Sequence, residues 1–277
     1  MSTLTDRTLV VSGGSRGIGL AIALAAARQG ANAVLLAKTA EPHPKLPGTV
    51  HTAVADVEAA GGKGVAVVGD VRREEDVQRA VDTAIEHFGG VDVVVNNASA
   101  IATEPTGELS AKKFDLMMDI NVRGTFLLTK AALPALQKSA TAHVITLAPP
   151  LNMNPHWLGA HPSYTLSKYG MTLLSMGWAE EFSRQPGGAA IGFACLWPET
   201  YIATSAVANL ADGTFMSSSR SPEIMGDAAV EILSRPAGAV NGKCFIDSAV
   251  LAEAGVTDLS RYGGGDDPIL DIFVDKP

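Results

Sequence analysis

The sequence predicts a doubly wound parallel α/β sheet of seven strands, with helices on both faces, in a single domain. Three observations lead there. Short runs rich in Val, Ile, Leu and Ala alternate with longer helical stretches along the chain, which implies right-handed crossovers between parallel strands. The runs show little polar–apolar alternation, as expected of strands covered on both faces. The 277 residues are 47% apolar and 18% charged, enough to bury a sizeable core, and they show no internal repeat, linker or second domain.

Strands are expected over Thr8–Ser12, Ala33–Ala37, Gly64–Gly69, Val91–Asn96, His143–Leu147, Ala190–Leu196 and Lys243–Asp247. Helices are expected near 17–29, 49–60, 73–88, 110–137, 163–184 and 222–234. Gly30 and Gly61 fall where helix C-terminal caps are wanted. Ser221-Pro222-Glu223 reads as an N-cap followed by proline at the first helical position. Three segments stand outside the alternation. Thr39–Gly48 holds three prolines and is an insertion after the second strand. Pro149–Pro162 is a long connection carrying Asn152, Asn154, His156, Trp157 and His161, and Ser248–Pro277 is a C-terminal tail. Its run Gly263-Gly264-Gly265-Asp266-Asp267 reads as a solvated loop.

The net charge of −8 comes with no basic stripe, which argues against a nucleic-acid partner. No window of about 18 apolar residues exists, so no membrane span is expected. Met1–Arg7 lacks the pattern of a secretory signal. Two distant cysteines, Cys195 and Cys244, fit a reducing compartment. The expectation is a soluble cytoplasmic protein. The six histidines are scattered without ligand spacing, so no metal site is expected.

The first strand runs into Ser12-Gly13-Gly14-Ser15-Arg16-Gly17-Ile18-Gly19, and a helix follows at once. Glycines let such a turn approach a pyrophosphate closely, and the helix N-terminus offers free N–H groups and partial positive charge. A glycine-rich turn alone could be a tight turn and no more. Its place between a strand and a helix favours dinucleotide binding. The second strand ends in Leu35-Leu36-Ala37-Lys38, without the acid that would bond a ribose 2′-hydroxyl. Lys38 and Arg16 each also fit an ordinary surface cation; together, with the acid absent, they point to NADP(H). Asp70-Val71, ending the third strand, would face the adenine. Asn96-Asn97-Ala98-Ser99, ending the fourth, would line the ribose side of the crevice.

Tyr164 and Lys168 stand four residues apart at the start of a helix, hence on one face. A tyrosine's ordinary pKa near 10 is too high for a base at neutral pH. Closing that gap takes roughly 4 kcal/mol, about what one cation ~4 Å away supplies at an effective dielectric of ~20. With oxidised nicotinamide adding its own charge, Lys168 suffices to lower the phenol. The pair then serves as proton donor and acceptor for an alcohol/carbonyl couple while hydride moves.

At this point the chain resembles the short-chain dehydrogenase/reductase family over nearly its full length. The matching features are the glycine turn at 13–19, Asp70, Asn96-Asn97-Ala98, Asn121 in Ile120-Asn121-Val122-Arg123-Gly124, and Tyr164 with Lys168. Their combination and order are highly specific. The resemblance implies a Rossmann-type sheet, Tyr164 as the acid/base, Lys168 on the nicotinamide ribose, and Asn121 holding a water in the proton path. It also implies a homodimer or homotetramer built on the helices at 110–137 and 163–184. Residues 37–48, Pro149-Pro150-Leu151-Asn152 and Tyr164–Met171 look like the hydroxysteroid-dehydrogenase-like branch. Some members of that branch carry a sterol-carrier domain at the C-terminus, for which these 277 residues leave no room.

Two stretches depart from the family. A serine usually follows the fifth strand and bonds the substrate oxygen; here Ala148 and Pro149 occupy the expected positions. Losing such a donor costs about 10²–10³ in rate. Asn152, His161 and Ser163 are candidate substitutes. Pro198-Glu199-Thr200-Tyr201-Ile202-Ala203-Thr204 replaces a Pro-Gly turn with one residue fewer, and in it Pro198 and Ile202 are expected beside the nicotinamide.

Leu151, Met153, Trp157, Leu158, Trp197, Tyr201 and Ile202 lie in or beside loops at the carboxyl end of the sheet. They suggest a lipophilic alcohol or carbonyl substrate: acyl, steroid-like or terpenoid. Residues 198–220 form the expected substrate loop, with Thr200–Arg220 as a lid. The competing reading is an NADP(H)-binding sensor or scaffold with little turnover, because the serine is missing.

Overall fold

The computed structural model describes residues 4–43, 47–184, 191–208 and 215–275. Its seven strands are β1 (Thr8–Ser12), β2 (Asn32–Ala37), β3 (Lys63–Val68), β4 (Val93–Asn96), β5 (His143–Thr146), β6 (Gly192–Trp197) and β7 (Lys243–Ile246). They form one sheet in the order β3-β2-β1-β4-β5-β6-β7, and every pairing is parallel. The helices are α1 (Gly17–Arg28), α2 (Val50–Ala59), α3 (Glu74–Phe88), α4 (Ala111–Met117), α5 (Gly124–Leu136), α6 (Pro155–Ala160), α7 (Pro162–Ser183), α8 (Ser205–Ala208), α9 (Glu223–Leu233), α10 (Ala237–Val240) and α11 (Asp247–Glu253). Of the segments read from sequence, Pro44–Leu46, Ala190, residues 209–214 and Lys276-Pro277 lie outside the described residues.

The strand sequences dictate this two-sided burial. Leu9, Val11, Leu35, Val93, Val95, Ile145 and Leu196 face one way and pack with α1, α2, α9 and α11. The intervening Val10, Val34, Leu36, Val94, Val144 and Phe193 face the other way, against α3, α5 and α7. Neither face of the central strands meets water, so the sequence there shows apolar runs rather than alternation. Burying each large aliphatic side chain stabilises the fold by roughly 1.5–3 kcal/mol before entropy is counted. The sheet grows outward from β1 to β3, then resumes on the other side of β1 with β4. That reversal opens a crevice at the carboxyl ends of β1 and β4, where ligands bind in such sheets.

Local chemistry sets the ends of the helices. The Thr49 hydroxyl accepts the Thr52 N–H at 3.1 Å while the Thr52 hydroxyl accepts the Thr49 N–H at 2.8 Å, a reciprocal cap that starts α2. Gly30 and Gly61 follow α1 and α2 with φ of 82° and 101°. The start of α9 differs from expectation: Pro222 is the cap residue, and no side chain caps the helix. The helix expected over 110–137 is divided into α4, a widened π turn at Met118–Arg123 and α5, with Asn121 inside the π turn. The long connection contains α6, and α11 takes Asp247 from the expected end of the seventh strand and residues 248–253 from the expected tail.

Helices α1 and α9 approach through small residues. A Cβ added at Gly226 would sit 2.6 Å from the Ala21 carbonyl oxygen and 3.1 Å from the Ala25 Cβ. Gly226→Ala should therefore push the two helices apart and lower stability by about 1–3 kcal/mol. Urea unfolding is the check: the midpoint falls while the slope stays constant.

Candidate active site

The β1–α1 turn is held from beside it rather than from within. The Asn97 carboxamide donates to the carbonyls of Ser12 at 2.9 Å and Gly13 at 3.1 Å. The Ser12 hydroxyl accepts the N–H groups of Asn97 and Ala98, each at 3.1 Å. Gly13 and Gly17 take φ of 67° and 58°, where a side chain is strained. A Cβ at Gly19 would stand 2.5 Å from the Asn97 Nδ2. No side chain caps α1, so its first N–H groups and the positive end of its dipole face the crevice. A diphosphate fits this donor set. Gly13, Ser15, Arg16, Gly17 and Ile18 line the crevice, whereas Gly19 lies beneath the turn against Asn97.

At the end of β2, Lys38 is 59% exposed and its Nζ lies 3.8 Å from an Asp70 carboxylate oxygen. Arg72 grips the same carboxylate with Nε at 3.0 Å and Nη2 at 2.6 Å. That guanidinium is the main reason the Asp70 carboxyl is held below its ordinary range. Arg16 donates to the Gly48 carbonyl at 2.9 Å and so ties the proline-rich insertion to the glycine turn. Lys38, Asp70, Val71, Asn97 and Ala98 all line the crevice, which is part of one cavity of about 820 Å³.

Tyr164 and Lys168 stand in the same cavity wall, on α7. Both are buried, at 6% and 2% exposure. The Lys168 ammonium donates to the Leu147 carbonyl at 2.6 Å and lies 5.1 Å from the centre of the Trp197 ring. Burial pushes its pKa down to about 8. The phenol of Tyr164 goes the other way from the simple expectation. Burial first, then the proximity of Asp271 and Tyr201, raises its pKa. The desolvation of a phenol in this wall outweighs the help of an ammonium turned toward Leu147 and Trp197.

Asn121 lies inside the π turn between α4 and α5. Fully buried, its Oδ1 accepts the Ala100 N–H at 2.7 Å, and its Nδ2 donates to the Ala100 carbonyl and the Ser167 hydroxyl, both at 2.9 Å. Ser167 in turn donates to the Tyr164 carbonyl at 2.8 Å. The carboxamide is thus committed to fastening the loop after β4 to α7, behind the cavity wall. Its side-chain contacts brace the helix turn that carries Tyr164.

Ala148 is fully buried with Met171 and Cys195, away from the cavity. Of the three substitutes considered, Asn152 gives its Nδ2 to the Phe273 carbonyl at 3.2 Å and to Asp275 at 2.8 Å. Ser163 is not among the cavity-lining residues. His161 does line the cavity, with Nδ1 3.0 Å from the Thr103 carbonyl oxygen. The apolar residues divide likewise. Trp197, Tyr201 and Ile202 line the cavity, Leu151 and Met153 are exposed, and Trp157 and Leu158 pack around Phe273.

The tail closes the cavity, which the sequence did not reveal. Tyr201 donates its N–H to the Ile269 carbonyl at 3.0 Å, and Asp271 donates its own to the Glu199 carbonyl at 2.9 Å. The Trp197 indole donates to the Ile272 carbonyl at 3.0 Å. The Phe273 ring packs against Tyr164, Tyr169 and Trp197. The extra loop residue and Glu199 thereby acquire a purpose: they form the edge on which the tail docks, with Glu199 held by Arg220 at 2.9 Å. Pro198 and Ile202 remain in the wall. The available signal was the apolar run Ile269, Leu270, Ile272, Phe273, Val274 after a glycine-rich stretch.

A parallel sheet whose switch-point crevice continues into a buried tyrosine–lysine pair defines an oxidoreductase working with a nicotinamide dinucleotide. Comparison with known proteins agrees. A family model for short chain dehydrogenases matches residues 7–211, and the chain belongs to that family, whose members use NAD(P)(H). Hydroxysteroid dehydrogenase-like protein 2 of Xenopus tropicalis is 48% identical over 275 residues, covering 99% of this chain and 64% of that protein. The Homo sapiens protein of that name is 46% identical over 94% of this chain and 60% of its own length. The chain thus spans less than two thirds of these relatives. A Xanthomonas campestris structure assigned as a dehydrogenase superposes with a TM-score of 0.93 at 47% identity, covering 99% of both chains. A short chain dehydrogenase from Mycobacterium thermoresistibile gives 0.91 at 45%, covering 99% of this chain and 97% of that one. Among the described residues, no helix is long and apolar enough to cross a membrane, and no cluster of three or more His, Cys, Asp or Glu could hold a metal.

Proposed function

We propose that the chain transfers a hydride between NADP(H) and a lipophilic alcohol or carbonyl compound of acyl, steroid-like or terpenoid type. The observation that carries this reading is one cavity running from the glycine turn to Tyr164 and Lys168. The bound dinucleotide supplies or takes up the hydride. The turn and the N-terminus of α1 would hold its diphosphate, and Asp70, Val71, Asn97 and Ala98 its adenosine side. Pro198 and Ile202 would border the nicotinamide. Lys38 at the rim, with Arg16, supports a 2′-phosphate. The wall formed by Ile101, Trp197, Tyr201, Ile202, Val207 and Phe215 supports an apolar substrate.

Tyr164, kept neutral by burial, is the acid that carbonyl reduction needs, giving its proton to the substrate oxygen. In the oxidative direction the phenol must give up its proton first, and the charge of Lys168 favours that. Exposed Phe126 on α5 and Leu166, Leu173 and Met176 on α7 support a homodimer or homotetramer. The sensor reading draws on Ala148, which offers the cavity no hydroxyl.

Tyr164→Phe separates the two readings. With a panel of lipophilic aldehydes and ketones, it should lower kcat by about 10²–10⁴ while leaving NADPH affinity nearly unchanged. Tight NADPH binding with no wild-type turnover above the Phe variant would favour the sensor. Lys38→Ala should weaken NADPH about tenfold or more, in line with the roughly 1.5–3 kcal/mol of a charged hydrogen bond, and hardly change NADH; equal losses refute the NADP(H) assignment. Lys168 carries its charge below about 8 and loses it above. For the free enzyme, kcat/KM should therefore fall by about tenfold per pH unit beyond that point, and Lys168→Arg should move the fall to higher pH.

A further inference from the structure

A carbonyl held for reduction benefits from a second hydrogen-bond donor on its oxygen, besides the tyrosine. The residues expected to give one do not. Ala148 has no polar side chain, and the Asn152 carboxamide is committed to the tail. His161 has its Nδ1 engaged 3.0 Å from the Thr103 carbonyl oxygen.

Of the further polar side chains in the wall, Ser99, Thr103, Tyr201, Thr204 and Ser205 are part-exposed or exposed, and Asp271 is buried. Asp271 lines the cavity beside Tyr164 and Lys168 and is 8% exposed, whereas Asp266, Asp267 and Asp275 of the same tail are exposed. Its position is fixed from both sides. Its own N–H is bonded to Glu199, and the next carbonyl, of Ile272, to the Trp197 indole. Two residues on, Phe273 holds a left-handed φ of 72°. A non-glycine residue keeps such a conformation, costing on the order of 1–3 kcal/mol, only where packing over-determines it. Phe273 is so packed, against Tyr164, Tyr169 and Trp197.

We propose that Asp271 is a catalytic residue whose carboxyl, in its acid form, donates a hydrogen bond to the substrate oxygen that receives the Tyr164 proton. The proposal rests on the oxidoreductase reading above. An ionised carboxylate could only accept there and would oppose the charge developing on that oxygen; a carboxylic acid donates. Burial, then the nearby Asp247, hold the carboxyl well above its ordinary range, against the opposing pull of the Ile272 N–H and Lys168. The reduction step balances without altering it. Hydride from the reduced dinucleotide adds to the carbonyl carbon, the phenolic proton of Tyr164 passes to the oxygen, and the Asp271 O–H bond stays intact.

The test uses the full chain with NADPH and decanal as probe, comparing wild type, Tyr164→Phe, Asp271→Ala and Asp271→Asn. Asp271→Ala should lower kcat by about 10²–10³ with NADPH affinity within about threefold of wild type. Asp271→Asn keeps a neutral donor of similar shape and should stay within about tenfold of wild type. Infrared difference spectra of wild type minus Asp271→Asn at neutral pH, without substrate, should show the C=O stretch of a protonated carboxyl. Wild-type kcat in the Ala variant overturns the proposal. So does an Asn variant as impaired as Ala, which would mean that a negative charge is required, and so does a missing infrared band. If the Ala variant fails to fold, the Asn rate and the infrared band decide. Wild type and Tyr164→Phe equally inactive on decanal would instead refute the parent reading, and the proposal with it.

Discussion

The reaction centre depends on a buried ammonium that forms no salt bridge among the described residues. Removing such a charge from water is costly unless dipoles and hydrogen bonds replace the lost hydration. Here the Leu147 carbonyl, at the carboxyl end of β5, and the face of Trp197, at the end of β6, provide that replacement for Lys168. Leu147 directly follows β5 and Trp197 ends β6, and the tail fixes Trp197 by taking up its indole N–H. The position of the charge is therefore tied to the central strands and to the last residues of the chain together. The same burial explains why lysine and tyrosine move in opposite directions. A low-dielectric wall disfavours the charged form of each, which is the protonated lysine and the deprotonated tyrosine.

Much of the fold was legible because local pattern and global architecture agree. Leu9 to Val11 and Val93 to Val95 are apolar at every position since both faces of those strands are covered, and a run of that kind has few other homes. The glycine turn was equally plain, since its residue types answer a local geometric demand. The division of the 110–137 helix was not. A π turn adds one residue to one turn, and its visible correlate, Asn121, bonds to Ala100 and Ser167, which are distant in sequence.

The candidate site was legible in its types and less so in its relations. Tyr164 and Lys168 are four residues apart, so helical geometry alone brings them together. Asp271 is more than a hundred residues from both, and only the docking of the tail on Glu199 and Tyr201 brings it to the cavity. The direction of the tyrosine shift escaped for a related reason. One neighbouring cation can be read from spacing, whereas desolvation is a property of the whole enclosing wall, to which the distant tail contributes.

The bracing of the β1–α1 turn by Asn97 has a consequence for ligand affinity. A glycine-rich loop left to itself samples many conformations, and an arriving anion would have to select one of them. With two of its carbonyls bonded to the side chain of Asn97, just after β4, and Ser12 receiving two N–H groups in return, the loop is already in its final shape when the protein folds. The ordering entropy is thus charged to folding, and the cradle meets its ligand preorganised.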